Sequence, residues 1–167
     1  MINFLKKIII YFRSVNIYVS KKKLKFKLPR YYKFRIIRSF SGIDSKELKN
    51  YFENHIEKKK RFSKGYLFLT LIYKKKLVSS GWLFSGNSWN IEEINQNISI
   101  KKKLLIFDFF TTPYERGKGH YTNLLKIIRR KFQDKEIIIY ALSSNLKSKR
   151  AIVSAGFKFK HNLKNFL

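Results

Sequence analysis

The stretch Thr111 to Leu125, TTPYERGKGHYTNLL, sets two glycines around a lysine, behind the apolar run Leu104 to Phe110 and ahead of residues at helical spacing. The first amides of a helix have no carbonyl partner, and the helix dipole adds partial positive charge there, so such a place can hold a phosphate. Gly117 and Gly119 remove the side chains that would keep a phosphate off the backbone, and they open conformations closed to other residues. Arg116 and Lys118 bring charge to the rim, and His120 lies beside it in an electrostatic or packing role. The other reading of Gly-Lys-Gly is a plain turn. A P-loop is absent, and a dinucleotide fingerprint would need a third glycine where Thr122 stands. A second chemical signal is Asp108. A lone carboxylate inside LLIFDFF is costly to bury unless it is paired or used. A structural carboxylate held by amides or a lysine is the alternative.

The elements that must position these residues follow from period and punctuation. Lys33 to Phe40 reads as a strand, and Asp44 or Ser45 can cap a helix to about Lys60 with Leu48, Tyr51, Phe52 and Ile56 on one face. Tyr66 to Tyr73 and Leu77 to Phe84 read as strands of a hairpin joined by Lys74, Lys75 and Lys76, while Trp89 to Ser99 fits neither period cleanly. Lys103 to Phe110 is a strongly apolar strand. The spacing predicts a helix from Gly117 to about Lys131, with Tyr121, Leu124, Leu125, Ile128 and Phe132 as its buried stripe. A strand over Glu136 to Leu142, a helix over Lys147 to Ala155 and a last strand from Phe157 to about Leu163 complete the chain. The order describes a mixed α/β sheet with one parallel crossover.

Composition bounds the partners. The 167 residues have the length of one domain and carry a formal charge of +28 with an ordinary apolar fraction. That charge suits a phosphate-rich small molecule, a nucleic acid or an anionic membrane surface, and a biased genome would produce much of it as well. No cysteine is present, which removes disulfides and thiolate nucleophiles and points to the cytoplasm; three scattered histidines make no metal site. The N-terminal sixteen residues lack a signal-peptide cleavage site and fall short of the roughly 20 apolar residues that span a bilayer. On a helix, Ile2, Leu5, Ile8, Ile9 and Phe12 would share one face, either for contact with the inner face of a membrane or to cover part of the core. Lys21 to Arg38 holds no acid and reads as a phosphate-attracting arm or a solvated linker. Residues 1–31 are therefore expected as a basic N-terminal helix and arm, and residues 32–167 as the compact domain.

The loop residues resemble the cofactor motif of the GNAT superfamily of acyl-CoA-dependent N-acetyltransferases. That motif is Arg/Gln-x-x-Gly-x-Gly/Ala, usually after Val-x-Pro at a strand end; here Thr111-Thr112-Pro113 precedes Arg116-Gly117-Lys118-Gly119-His120-Tyr121. Tyr121 departs from the final Gly/Ala and is similar to a variant found in enzymes of bacterial surface-polysaccharide clusters. A second motif lies in NLKSKRAIVSAGF, where Asn145 is followed by Ser148 and Ala151 and, eleven and twelve residues on, by Gly156 and Phe157. The resemblance covers about Tyr32 to Leu163. It implies a mostly antiparallel central sheet with flanking helices and a parallel strand pair at the cofactor site. Acetyl-CoA would pair with backbone near Phe109, Phe110 and Thr111, with its pyrophosphate on the amides of Arg116 to Tyr121 and with Asn145 and Ser148 nearby. A backbone amide near Phe110 would stabilise the oxyanion as a primary amine attacks the thioester. The family's tyrosine acid, seven residues after the asparagine, is replaced by Ile152. Asp108, Glu93 with its neighbour Glu92, Tyr140 and Asn145 then become the candidates around the reacting atoms. The implied acceptor is an amino sugar on a nucleotide or lipid carrier. Two alternatives stand beside this reading: a basic protein binding RNA or single-stranded DNA, against which the core-like placing of the aromatics weighs, and a non-catalytic acyl-CoA-binding GNAT fold.

Overall fold

A computed structural model of the chain describes residues 13–20 and 23–165. The elements are β1 (Ser14–Ser20), β2 (Tyr32–Ile37), α1 (Lys46–Asn54), α2 (Ile56–Ser63), β3 (Leu67–Tyr73), β4 (Lys76–Ser85), β5 (Ser88–Ile91), β6 (Gln96–Ser99), β7 (Lys103–Thr111), α3 (His120–Lys131), β8 (Glu136–Leu142), α4 (Leu146–Ser154) and β9 (Lys158–Lys164). Seven strands form one sheet in the order β2-β3-β4-β7-β8-β1-β9, and β5 pairs with β6 in a separate hairpin. Every neighbour pair in the large sheet is antiparallel except β7 and β8. A parallel pair needs a crossover, and α3 supplies it.

Side chains alternate across a strand, so adjacent residues feed two cores. On one face Ile106, Ile137 and Ile139 pack with Leu124, Leu125 and Ile128 of α3 and Ile152 of α4. On the other, Leu105, Phe107 and Ile138 pack with Phe52 of α1, Trp82 of β4, and Ile91 and Ile94 of the hairpin segment. Tyr121 and Phe132, the outer members of the expected α3 stripe, are only partly buried.

The expected helix to Lys60 is two helices. The Ser45 hydroxyl caps α1 by accepting from the Leu48 amide, but His55, at φ −126° and ψ 67°, breaks the run. Phe52 and Phe62, ten positions apart, would lie roughly 80° out of phase on one continuous helix. The break brings both rings onto Trp82, at centroid distances of 5.8 and 5.1 Å.

A second difference lies near the N-terminus. Ser14–Ser20, expected within the N-terminal helix and arm of residues 1–31, is a strand between β8 and β9, with Val15, Ile17 and Tyr18 buried. SVNIYVS is rich in the β-branched and aromatic residues that suit a strand. The sheet thus takes in residues that the charge run starting at Lys21 had seemed to set apart. The amphipathic segment Ile2 to Phe12 lies outside the described residues. Among the described residues, no helix is long and apolar enough to cross a membrane.

Candidate active site

β7 and β8 separate part-way along their length. Their register runs from Lys103 opposite Glu136 to Ile106 opposite Ile139 and stops. Beyond that point, among the described residues, β7 continues to Thr111 against β4 alone, and β8 continues to Leu142 against β1. A bulge marks the change: Ser80 faces Phe110 but Trp82 faces Phe107, so Asp108 and Phe109 together oppose Gly81. Asp108 takes φ 49° there. A Cβ at position 81 would overlap the Phe109 ring, so glycine lets that ring lie across β4.

The separated ends frame a cleft of about 710 Å³ lined by strand residues from Phe107 to Phe109 and from Tyr140 to Leu142. Asp108, Glu93, Tyr140 and Asn145, the four candidates for the reacting centre, all line it. So do Glu57, Arg61, Tyr66 and Trp89, which sequence reasoning had not placed there. Four of the ten acidic residues of this strongly basic chain, Glu57, Glu92, Glu93 and Asp108, meet at this one cleft.

Each of these groups has a distinct environment. Asp108 Oδ2 accepts from Arg61 Nη1 at 2.5 Å and lies 3.2 Å from Lys58 Nζ. Burial opposes its charge, but the Arg61 hydrogen bond and the Lys58 charge outweigh it and hold the carboxyl below the usual range. A carboxylate held below its usual range is a weaker base than a free one. Tyr140 accepts a long hydrogen bond of 3.4 Å from Trp89 Nε1. Burial first, and the Glu93 charge second, push its phenol up to about 12, so it keeps its proton. The Trp89 and Phe107 rings pack at 4.4 Å, which ties the β5–β6 hairpin to the cleft wall.

The glycine loop sits at the start of α3. Gly117 and Gly119 take φ values of 80° and 77°, in the left-handed region that glycine adopts without strain, and a Cβ at either would meet open space. The first helical bond there runs from the Asn123 amide to the Gly119 carbonyl. The amides of His120, Tyr121 and Thr122 therefore have no carbonyl to bond within the helix. Arg116 folds back, its Nε donating to the Thr111 carbonyl at 3.2 Å. The His120 ring is turned inward: it is 3 % exposed, with Nδ1 2.7 Å from Tyr32 Oη and Nε2 3.0 Å from Glu115 Oε2. Glu115 also takes Lys118 Nζ at 3.1 Å, so part of the rim charge is already paired. Tyr121 and Phe109, with ring centroids 5.1 Å apart, both line the cleft, whereas Arg116 to His120 lie outside its lining.

The remaining candidates have local partners. The Phe110 carbonyl accepts from the Ser79 hydroxyl at 3.0 Å, and that hydroxyl lies 3.1 Å from Thr111 Oγ1. Asn145 caps α4 by accepting from the Ser148 amide at 3.1 Å, and both residues line the cleft. Gly156 has φ 84°, and a Cβ there would overlap the guanidinium of the buried Arg129. Ile152 is fully buried in the core. Among the described residues, no group of three or more His, Asp or Glu is placed to hold a metal ion.

No family model matches the sequence, and no curated protein matches it. Solved structures do match. An acetyltransferase of the GNAT family from Colwellia psychrerythraea superposes with a TM-score of 0.53 at 18 % identity, over 90 % of this chain and 54 % of that one. A GCN5-related N-acetyltransferase from Sphaerobacter thermophilus gives 0.57 at 12 % identity, over 90 % and 50 %. A GCN5-related N-acetyltransferase-like protein from Streptococcus suis gives 0.54 at 13 % identity, over 96 % and 64 %. The chain spans between half and two thirds of the length of these structures. At such identities the likeness is one of architecture: a seven-stranded mixed sheet with a single parallel pair and flanking helices is the GNAT fold.

Proposed function

We propose that the protein is an N-acyltransferase that moves an acetyl group from acetyl-CoA to a primary amine within a ternary complex. The observation that carries this is the separation of β7 and β8 beyond Ile106, which leaves a strand edge without a partner among the described residues, beside a helix start whose first amides have no acceptor among them. The fit to acetyl-CoA is specific in kind. An amide-bearing pantetheine arm can add to the open edge of β7 as a further strand would. A pyrophosphate can rest on the amides of Gly117 to Thr122, with Arg116 at the rim. Acetyl-CoA, when bound, supplies an activated acyl carbonyl at the head of the cleft.

This chain's residues then have separable tasks. A β7 backbone amide near Phe110 donates to the carbonyl oxygen as negative charge gathers there. Glu93 takes the proton that the amine gives up as the new carbon–nitrogen bond forms and the carbon–sulfur bond breaks. Tyr140, whose phenol stays protonated, returns a proton to the departing sulfur and stands in for the acid that Ile152 lacks. Asp108, engaged by two cations, orients Arg61 and Lys58 and moves no proton. Asn145 holds the start of α4 in place against the cleft.

The acceptor we assign is an amino sugar carried on a nucleotide. Aromatic faces at Tyr66 and Trp89 beside Asn90 and the carboxylates suit a hydroxyl-rich ring bearing an amine, and the net charge of +28 suits the phosphates of its carrier.

Calorimetric titration with acetyl-CoA at low and near-physiological salt, on the wild type and on Gly119→Glu, tests the reading. One-to-one binding that survives salt and vanishes in the variant is expected, because the new carboxylate occupies the phosphate position. Failure of the folded wild type to bind would overturn the assignment.

A further inference from the structure

The glycine loop opens beside a corner of the sheet that gathers charge of its own. Thr112, at the start of the loop, donates its amide to the Val78 carbonyl at 3.1 Å and its hydroxyl to the Leu77 carbonyl at 3.0 Å. Lys74, in the turn between β3 and β4, comes three positions before Leu77, so at about 3.4 Å per residue it stands roughly 10 Å from that contact. The Lys74 amide donates to the Tyr31 carbonyl at 3.1 Å, which fastens Arg30 and Tyr31 to the same turn. The next residues inward hold the helix start. Tyr32 and Tyr73 pack at 4.7 Å, and their ring centroids lie 5.5 and 5.4 Å from that of His120, the first residue of α3. The corner and the helix start are thus one packed unit.

The corner presents an aromatic face and free charge together. The Tyr31 ring is 65 % exposed, with Arg30 Cζ 5.8 Å and Lys74 Nζ 5.9 Å from its centroid. Among the described residues neither cation forms an ion pair. Lys74 and Lys75 take φ values of 46° and 67°, where a tight hairpin turn ordinarily uses Asn or Gly, so the turn gives up backbone ease and shows charge. Tyr114 is more exposed still, but Glu115 follows it, and a carboxylate repels phosphate.

The loop itself has little charge to spare. Arg116 Nε donates to the Thr111 carbonyl, and Lys118 is paired with Glu115. Acetyl-CoA carries a phosphate on its ribose besides the pyrophosphate, and that group needs cations of its own. Resting on the acyl-transfer reading above, we infer that Arg30, Tyr31 and Lys74 form the seat of the cofactor's nucleotide end. The two cations take the ribose 3′-phosphate, and the Tyr31 ring stacks on the adenine. An exposed tyrosine face is sequence-tolerant towards bases, so the specificity of this seat lies in the phosphate.

Calorimetric titration of the full chain with acetyl-CoA and with acetyl-3′-dephospho-CoA tests the inference. The wild type should bind acetyl-CoA more tightly by about tenfold or more, the worth of one charge-assisted hydrogen bond. Arg30→Gln with Lys74→Gln should bring acetyl-CoA down to the level of the dephospho ligand. Lys23→Gln with Lys25→Gln removes the same charge from exposed positions of the arm and should keep the preference. Tyr31→Asn suits the left-handed backbone there and should weaken both ligands alike, several-fold, with an unchanged thermal midpoint. Equal binding of the two ligands by the wild type would overturn the inference and leave the acyl-transfer reading standing. A preference that survives the Arg30 and Lys74 substitutions, or that the control pair also loses, would take the phosphate away from this corner. Undiminished binding by Tyr31→Asn would remove the ring from the seat. If neither ligand binds, the acyl-transfer reading falls as well.

Discussion

The same two strands behave as opposites at their two ends. From Leu104 to Phe107 and from Ile137 to Ile139, β7 and β8 are buried without interruption, the first three of each in register, and they join the two cores. From Asp108 and Tyr140 onward they part, side chains emerge, and charged groups gather. One end commits its residues to packing, while at the other the strands no longer pair with each other and polar groups line a cleft. Stability and chemistry are thus divided along a strand, and a substitution should be read by which side of Ile106 it falls on.

Ile106→Ala, at the closed end, should have the largest effect. The side chain is fully buried, and truncation of this kind costs about 2–5 kcal/mol. Urea unfolding would show the midpoint falling sharply; a loss under 1 kcal/mol would mean that the paired end is not the anchor. At the open end, Tyr140→Phe should leave that midpoint nearly unchanged, because the hydrogen bond from Trp89 is long. Acetyl transfer to a panel of amino sugars should instead slow about a hundredfold. With the phenol raised to about 12, the wild-type rate profile should show no alkaline limb from Tyr140 below pH 10. An unchanged rate in the variant would remove Tyr140 as the acid.

Gly81→Ala probes the boundary itself. The added Cβ overlaps the Phe109 ring, and overpacking of this kind costs about 1–3 kcal/mol. If the bulge sets the separation of the strands, the variant should lose acetyl-CoA affinity as well as thermal stability. Lost stability with intact affinity would sever the bulge from the site.

How far the sequence shows this division depends on the range of the interactions. The apolar run Leu104 to Phe107 and the Ser45 cap, one of the two caps the pattern offered, are local features and stood where the pattern placed them, whereas the glycines, expected as the first residues of α3, precede it. Asn145 was legible as a motif residue, and the structure adds its cap on α4. Arg61 and Lys58 were invisible as partners of Asp108. They lie on α2, and Arg61 is 47 positions away, so only the helix break and the bulge bring them together. The strand Ser14–Ser20 was hidden by the charge run that follows it, because charge patterning reports solvation and says nothing of pairing to strands more than a hundred residues away. The β5–β6 hairpin is short, and its apolar residues owe their burial to the sheet beneath, so neither period alone marked it.

Asp108→Asn should give the smallest effect and sharpen the comparison most finely. The folded-state pKa of Asp108 is depressed, so its contribution to stability is present above the unfolded carboxyl value of about 3.9 and is lost as pH falls through the folded value. The carboxylate is partly exposed and solvent screens it, so the gain at neutral pH is modest. Unfolding midpoints followed from pH 6 to pH 2 should fall less steeply in the variant than in the wild type, with the two curves converging at the acid end. The same variant releases Arg61 and Lys58 from a carboxylate that lines the cleft. Its calorimetric titration with acetyl-CoA should then show whether the ion cluster shapes the cleft or merely borders it: weaker binding by the variant, under conditions where it is still fully folded, assigns Asp108 to the site. Parallel curves in acid, with unchanged binding, would return it to the surface.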